Sequence, residues 1–176
     1  MLRQVATFAG GCYWCVESPL SALAGVLSTK PGYIGGRTLS PTYESICRGD
    51  TGHAEAVRVE FDAGAVSFSS LLDVFFTLHD PTQLNRQGND VGTQYRSAIF
   101  YHDDAQRAES ERKIAALTAT GKDVVTTLEP ASAHTWYDAE EYHKDYVARN
   151  PEQGYVRAVA MPKLCKVRAA FPALLK

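Results

Sequence analysis

The chain has 176 residues, 45% of them hydrophobic, and a formal net charge of −2 at pH 7. This length and composition are sufficient for one sizeable core, and no linker or internal repeat divides the chain, so we expect a single domain over residues 1–176. The basic residues are scattered, and the most apolar run, residues 71–78, is too short to span a bilayer. We therefore expect neither nucleic acid nor a membrane as a partner.

The predicted elements alternate between strand and helix along the chain. Residues 1–4 lead directly into the first strand without an apolar leader segment, so we expect a cytoplasmic protein. In that reducing compartment its four cysteines indicate catalytic, redox or metal-binding roles. Apolar periodicity and capping residues predict strands at 5–8, 54–61, 96–101 and 124–128, and helices after residue 12, at 67–79, at 103–120 and from 138–141 to about 150.

These elements predict an α+β fold with helices packed on a mixed, partly antiparallel sheet. The core of the domain is expected at about residues 5–150. From residue 152 onwards no period persists, so residues 151–176 are predicted to form a long coil wrapped over the domain.

A reactive-cysteine pattern, GGCYWC, occupies residues 10–15. Two flexible glycines follow the first strand, and apolar residues then recur at helical spacing, which places Cys12 at the start of a helix. Backbone N–H groups and the helix dipole favour a thiolate there, so we expect the pKa of the Cys12 thiol to lie below its free value of about 8.5. The alternative is a buried structural cysteine, against which the glycine turn indicates exposure.

Glu55 shares the parity of the apolar residues in the strand at 54–61, which run from Val57 to Phe61 at every second position. Its carboxyl group is therefore predicted to point inward. Desolvation raises the pKa of a carboxyl group, so Glu55 is a candidate proton donor near neutral pH. The alternative is a strand end that reaches solvent, and the preceding glycine-bracketed loop at 49–53 favours a functional role.

Two other interpretations fit parts of the pattern. Residues 53–55 match the H-x-E of zinc deaminases, but the C-x-x-C pair formed by Cys12 and Cys15 precedes that motif and lacks its proline. A structural zinc site needs further ligands, and Cys47 and Cys165 stand alone in the sequence. A thioredoxin-like protein explains the C-x-x-C pair but not the glycine-rich loops. A general thiol-disulfide oxidoreductase and a zinc-stabilised binding module therefore stay open as alternatives.

Five motifs resemble, in order along the chain, those of the class A peptide methionine sulfoxide reductases. They are GCYW at 11–14, GYIGG at 32–36, PTY at 41–43, GDTGHAE at 49–55 and RQGNDVGTQYRS at 86–97. The resemblance implies a compact α+β fold with a mixed sheet, no metal or organic cofactor, and reduction of the S epimer of methionine sulfoxide, free or in proteins. The chain departs from the family in having Tyr13 in place of the usual Phe. It also has Val156 after Gly154 and Tyr155, where a resolving cysteine often lies.

The reaction that this resemblance implies needs both a nucleophile and an acid, because a sulfoxide sulfur is a poor electrophile until its oxygen is protonated or strongly hydrogen-bonded. Cys12 is expected to attack the sulfur as a thiolate while Glu55, kept neutral by burial, protonates the oxygen. The hydroxyl groups of Tyr43 and Tyr95 are expected to donate hydrogen bonds to that oxygen. By resemblance, Asp90 belongs to the same polar set.

Tyr13 and Trp14 flank the nucleophile and are expected to form the apolar wall that receives the substrate methyl group, the alternative being ordinary core packing. The products are methionine and a Cys12 sulfenic acid, which a second thiol converts to a disulfide. The resemblance implies that a dithiol such as thioredoxin then regenerates the enzyme, which would make the protein a repair enzyme for oxidised methionine.

Three thiols remain as candidates to resolve the sulfenic acid. Cys15 lies one helical turn from Cys12. Cys165 lies on the segment predicted to be coil, and this segment could move towards Cys12 at little cost in packing. We rank Cys15 slightly above Cys165 as the resolving thiol, because the helix fixes the distance of Cys15 from Cys12. We expect Cys47 to be buried.

Overall fold

The computed structural model describes residues 1–176, and a six-stranded sheet lies at its centre. The strands are β1 (Arg3–Gly10), β2 (Val26–Ile34), β3 (Ala54–Asp62), β4 (Arg86–Gln87), β5 (Asp90–Val91), β6 (Ser97–Tyr101), β7 (Thr127–Pro130) and β8 (Tyr137–Asp138). The helices are α1 (Tyr13–Ser21), α2 (Tyr43–Cys47), α3 (Phe68–Leu78), α4 (Asp104–Ala119), α5 (Tyr146–Arg149) and α6 (Met161–Ala170).

The sheet has the strand order β7-β6-β1-β3-β2-β8, and β4 pairs with β5 in a separate hairpin. Every pairing in the sheet is antiparallel except that of β6 with β7, which is parallel. In the register of β1 with β3, Phe8 lies opposite Val57, and in that of β2 with β3, Tyr33 lies opposite Glu55. The end of β1 that leads to Cys12 is therefore next to the start of β3, where Glu55 lies.

Most of the helices pack on one face of this sheet. The ring of Phe8 in β1 stacks on that of Phe75 in α3, with 4.9 Å between ring centroids. Leu20 of α1 and Val167 of α6 are fully buried in the same cluster. This arrangement confirms the predicted single α+β domain with helices on a mixed sheet, and it holds α1, with Cys12 at its start, firmly against β1 and β3.

The C-terminal segment is helical, so the prediction of a coil over residues 151–176 is wrong. A π-helical turn at Val156–Ala160 continues directly into α6. A helical period was present in the sequence: Val156, Ala160, Leu164 and Val167 are all buried. The small side chain of Ala160 and the proline in the first turn of α6 conceal this period, although proline is compatible with the first turn of a helix.

The segment from residue 138 to 150 also differs from the single predicted helix. Asp138 is part of β8, which pairs with β2, and a 3₁₀ turn at Glu141–His143 follows. Asp145 then adopts a left-handed backbone conformation with φ of 53°, which separates this turn from the short helix α5. The helical pattern was real, but a sheet pairing and one left-handed residue divide it.

The other predicted elements are confirmed within a few residues, including the C-cap region of α4, where Gly121 has φ of 90°. The prediction omitted β2 and the short helix α2, whose N-cap Thr42 accepts a hydrogen bond from the backbone N–H of Ser45. No helix has both the length and the apolar character needed to cross a membrane.

Candidate active site

Cys12 is the N-cap residue of α1, as the sequence predicts. Gly11 precedes it with φ of 97°, and a Cβ atom there would lie 2.9 Å from the side chain of Gln87. Only glycine therefore suits the turn between β1 and α1. Cys12 is only 8% exposed, so the thiol is not on the open surface that the glycine turn indicates.

The electrostatic environment of Cys12 is shared with Cys15. Burial raises the pKa of the Cys12 thiol well above its usual range, and the nearby Glu55 raises it further, whereas the backbone N–H of Trp14 lowers it. The prediction of a lowered pKa for Cys12 alone is therefore wrong, because desolvation outweighs the helix N-terminus. A hydrogen bond with Cys12 lowers the pKa of Cys15 to about 7, so the pair loses its first proton near neutral pH.

Glu55 lies in β3 with 1% of its surface exposed, and the prediction of an inward-pointing carboxyl group is confirmed. Its Oε1 accepts a hydrogen bond of 3.2 Å from the backbone N–H of Tyr13, which places the carboxyl group directly beside the start of α1. Burial raises the pKa of Glu55 to about 8, as expected for a desolvated carboxyl group. The side chain is therefore mainly protonated at pH 7.

Tyr43 and Tyr95 lie in two different segments, and both are close enough to Glu55 for its charge to affect the pKa of their hydroxyl groups. Tyr43 is the first residue of α2, and Tyr95 ends the 3₁₀ turn that precedes β6. Both are half-buried, and in both the pKa of the hydroxyl group is raised, first by burial and then by the charge of Glu55. Two neutral hydroxyl donors thus accompany the protonated carboxyl group.

Asp90 belongs to the site through Tyr155, a residue that the sequence analysis did not assign to it. The Tyr155 hydroxyl donates a hydrogen bond of 2.5 Å to Oδ2 of Asp90 and lies 3.5 Å from Sγ of Cys15. The carboxylate of Asp90 thus faces Cys15 through one hydroxyl group. The signal was available, because Tyr155 lies in the very tripeptide in which Val156 replaces the expected cysteine.

Tyr13 and Trp14, although adjacent, have different surroundings. Tyr13 is fully buried, and its hydroxyl hydrogen-bonds at 3.0 Å with that of Tyr33, which in turn donates to Oε1 of Glu140. Trp14 is partly exposed. Its ring stacks on that of Tyr146 with 3.8 Å between centroids and an interplanar angle of 5°. Trp14 is therefore the one of the two that keeps part of its apolar surface exposed.

His143 also supports Trp14 and was not predicted. Its Nδ1 accepts a hydrogen bond of 3.0 Å from Nε1 of Trp14, so in the neutral ring Nε2 carries the proton. Burial lowers the pKa of His143 to about 4, which keeps the ring neutral at pH 7. The contributions of Glu140, His143 and Tyr146 could not be found from the sequence, because the segment that contains them was predicted as one continuous helix.

The remaining thiols differ in accessibility. Cys15 is fully buried beside Cys12, and no disulfide is present. Cys165 is exposed on α6, whose neighbouring residues Leu164 and Val167 face the core, so its thiol points away from the sheet. Cys47 is exposed at the end of α2, so the prediction that it is buried is wrong. No group of three or more His, Cys, Asp or Glu side chains is arranged to hold a metal ion.

Comparison with known proteins gives matches along nearly the whole chain. A profile of the family described as “Peptide methionine sulfoxide reductase” matches residues 4–174. The peptide methionine sulfoxide reductase MsrA of Acinetobacter baumannii strain AYE is 50% identical over 173 residues, which are 98% of this chain and 99% of that protein.

Solved structures of one yeast protein have the same fold. Mxr1 from Saccharomyces cerevisiae in reduced form gives a TM-score of 0.79 at 35% identity, with coverage of 86% of this chain and 88% of that one. Mxr1 in complex with Trx2 gives a TM-score of 0.57 at 25% identity, with coverage of 82% and 85%. The expectation from the five motifs is confirmed: this chain belongs to the peptide methionine sulfoxide reductase family and reduces peptide methionine (S)-S-oxide to methionine.

Proposed function

We propose that the reaction of this enzyme is carried out by Cys12 as nucleophile and Glu55 as general acid. The observation that carries this assignment is the fully buried carboxyl group held at the N-terminus of α1, one residue from the thiol, by the N–H of Tyr13. Its burial raises the pKa to about 8, which favours the protonated form at pH 7. No protein donor occupies the second carboxyl oxygen, so this oxygen is free to hold a proton toward a bound substrate.

In the reductive step, the Cys12 thiolate attacks the sulfoxide sulfur while Glu55 gives its proton to the sulfoxide oxygen. Tyr43 and Tyr95 donate hydrogen bonds to the same oxygen. The oxygen passes to the Cys12 sulfur, so the substrate sulfur is reduced to the thioether of methionine and Cys12 is oxidised to a sulfenic acid. The thiolate comes from the Cys12 and Cys15 pair, which loses its first proton near pH 7. No metal or organic cofactor takes part.

The substrate methyl group is held by the exposed rim of Trp14. Tyr146 supports that ring from one side, and Tyr13 lies beneath the site with its ring 5.0 Å from that of His143. An apolar wall here binds the methyl group while the polar set binds the oxygen, so the two substituents of the sulfur are distinguished by chemistry as well as by shape.

Cys15 resolves the sulfenic acid, with Cys165 as the second candidate. Attack of the Cys15 thiol on the Cys12 sulfur forms a disulfide and releases water. Cys15 lies one helical turn after Cys12, and each thiol shifts the pKa of the other, which supports their pairing. The Tyr155 hydroxyl lies 3.5 Å from Sγ of Cys15 and donates a hydrogen bond to Asp90. Cys165 faces solvent on a helix that is packed on the core, so its approach to Cys12 requires α6 to move from its position.

A dithiol protein such as thioredoxin reduces the disulfide, as the complex of the yeast relative with Trx2 suggests for this family. The substrates are methionine S-sulfoxide residues in oxidised proteins and the free amino acid. The presence of four unpaired thiols supports action in the reducing cytoplasm.

The role of Cys12 is tested by assay with dithiothreitol and each epimer of a blocked methionine sulfoxide. We expect methionine from the S epimer only, no turnover by Cys12→Ser, and turnover within about twofold of wild type by Cys165→Ser, because dithiothreitol reduces the sulfenic acid without a second thiol. Substantial activity in Cys12→Ser would rule out this nucleophile.

The resolving thiol is tested by oxidising the protein with one equivalent of substrate in the absence of reductant and mapping the disulfide by peptide mass analysis. We expect a bridge between Cys12 and Cys15, with thioredoxin-dependent turnover lost in Cys15→Ser and kept in Cys165→Ser. A bridge from Cys12 to Cys165 in the wild type, with turnover surviving in Cys15→Ser, would reverse the order of the two candidates.

A further inference from the structure

Glu17 is a second buried carboxyl group on α1, and the proposed reaction does not use it. The side chain is 2% exposed. Its Oε1 accepts a hydrogen bond of 3.0 Å from the hydroxyl group of Thr29 in β2, and its Oε2 accepts one of 3.0 Å from the backbone N–H of Asp145. One carboxylate therefore connects a helix, a strand and a loop that are far apart in sequence.

The loop at residues 144–145 depends on this connection. Asp145 has φ of 53°, a left-handed conformation that residues with a side chain adopt only when their surroundings impose it. The adjacent Lys144 donates a hydrogen bond of 3.1 Å from Nζ to the backbone oxygen of Thr29. Glu17 and Thr29 thus hold both residues of the loop, one through its backbone and the other through its side chain.

The residues on either side of this loop are the two that hold the indole ring of Trp14 in position. His143, immediately before it, accepts the hydrogen bond from the indole N–H, and Tyr146, immediately after it, stacks on the indole ring. Glu17 and Trp14 lie three residues apart on α1, so they occupy the same side of the helix. The loop therefore sets the angle and position of the indole ring from both sides.

We propose that Glu17 is a positioning residue for the substrate methyl pocket: by anchoring residues 144–145 it fixes His143 and Tyr146, and through them the face that Trp14 presents to the substrate. This inference rests on the proposed role of Trp14 in binding the methyl group. Glu17 itself touches neither substrate nor the reacting sulfur atoms.

Three substitutions distinguish the anchoring role of Glu17 from a general effect of its side chain. In Glu17→Gln the amide oxygen still accepts from the Asp145 N–H, and the amide NH₂ donates to the Thr29 hydroxyl, which is able to accept as well as donate. In Glu17→Ala both donors lose their partner. Thr29→Val removes the hydroxyl donor alone, so the Glu17 carboxyl group still accepts from Asp145 but is held less firmly and anchors the loop less well.

The experiment measures the solvent accessibility of Trp14 by its fluorescence. The chain has two tryptophans, so Trp136→Phe leaves Trp14 as the only one, and all variants are compared in that background. Acrylamide quenching of its fluorescence is measured together with kcat and KM for blocked methionine S-sulfoxide, with dithiothreitol as reductant. Thermal unfolding shows which variants fold.

We expect Glu17→Ala to increase the quenching of Trp14 and to raise KM about tenfold with kcat within about twofold of wild type, since the reacting groups stay in place. Glu17→Gln should resemble wild type in both readouts, and Thr29→Val should fall between the two. If Glu17→Ala does not fold, Thr29→Val and Glu17→Gln still give the comparison.

Unchanged quenching and KM in Glu17→Ala or, if it does not fold, in Thr29→Val would overturn the proposal, and so would equal losses in Glu17→Gln and Glu17→Ala. Increased quenching with unchanged KM would show that Glu17 positions Trp14 but that Trp14 does not bind the substrate. That outcome overturns the pocket assignment and is distinguishable from a failure of the anchor.

Discussion

The two buried glutamates of this enzyme, Glu17 and Glu55, are alike in burial, and we propose an acid-catalytic role for only one of them. Burial raises the pKa of Glu55 to about 8 and that of Glu17 to about 7. Their hydrogen bonds differ. Both oxygens of Glu17 accept bonds from protein donors, whereas only one oxygen of Glu55 does so.

This difference decides what each group is able to do. When both oxygens of a carboxyl group accept hydrogen bonds from fixed donors, protonation costs one of those bonds. Such a group is suited to connecting structural elements and not to transferring a proton. Glu55 keeps one oxygen open beside Cys12, so it is able to hold a proton and deliver it. The proposed acid role of Glu55 therefore rests on its free hydrogen-bonding position, since the raised pKa is common to both glutamates.

The sharpest test of this comparison is the same substitution at both positions. Glu55→Gln preserves size but removes the transferable proton, so kcat/KM for the reduction step should fall by about 10²–10⁴-fold, the range typical of general acid catalysis. Glu17→Gln should leave kcat/KM within about twofold of wild type. Single-turnover assays of methionine formation measure both. A loss below tenfold in Glu55→Gln would make Glu55 a structural residue.

The pH dependence of kcat/KM gives the second test. The thiol pair must lose a proton, so the rate should rise as the pH increases through about 7, and Glu55 must keep its proton, so the rate should fall as the pH increases through about 8. Above pH 8 the fall should approach tenfold per pH unit.

Two variants distinguish the groups responsible for the pH profile. Glu55→Gln should lose the alkaline limb of the profile, while Glu17→Gln should keep both limbs. An alkaline limb that persists in Glu55→Gln would assign the proton donor to another group.

The tyrosine hydroxyl groups are expected to have smaller effects. Tyr43→Phe and Tyr95→Phe should each lower kcat by about tenfold, because one remaining hydroxyl still serves the sulfoxide oxygen. The double variant should lose more than the product of the single losses, since the two donors share one acceptor. If the single variants and the double variant all retain the wild-type rate, neither hydroxyl group touches the substrate.

The sequence predicts the positions of Cys12 and Glu55 well because both depend on local patterns. Two glycines before a helical period place Cys12, and strand parity places Glu55 inward. The same patterns predict β1, α1, β3 and α3 within a few residues of their observed bounds.

The rest of the site was hidden because tertiary contacts override local signals. Asp138 carries the helix-capping pattern but is paired with β2, and Asp145 is held in a left-handed conformation by the carboxylate of Glu17. The pKa of Cys12 could not be predicted either, since desolvation depends on the whole core and the helix start alone favours the opposite shift.

The smallest effect is expected for Tyr13→Phe, which restores the usual residue of the family. The Tyr13 hydroxyl is engaged with that of Tyr33, and Tyr33 keeps its own bond to Glu140 when Tyr13 is changed. The substitution removes one donor and leaves no unpaired N–H or O–H group, so the free energy of unfolding should fall by only about 1 kcal/mol. The N–H of Tyr13 that holds Glu55 is a backbone group and is unaffected, so kcat/KM should stay within about twofold of wild type. Urea unfolding and the dithiothreitol assay measure the two quantities. A loss of activity comparable to that of Glu55→Gln would show that the hydroxyl network from Tyr13 to Glu140 takes part in proton delivery. The difference between Glu55 and Glu17 would then depend on this network as well as on the free oxygen of Glu55.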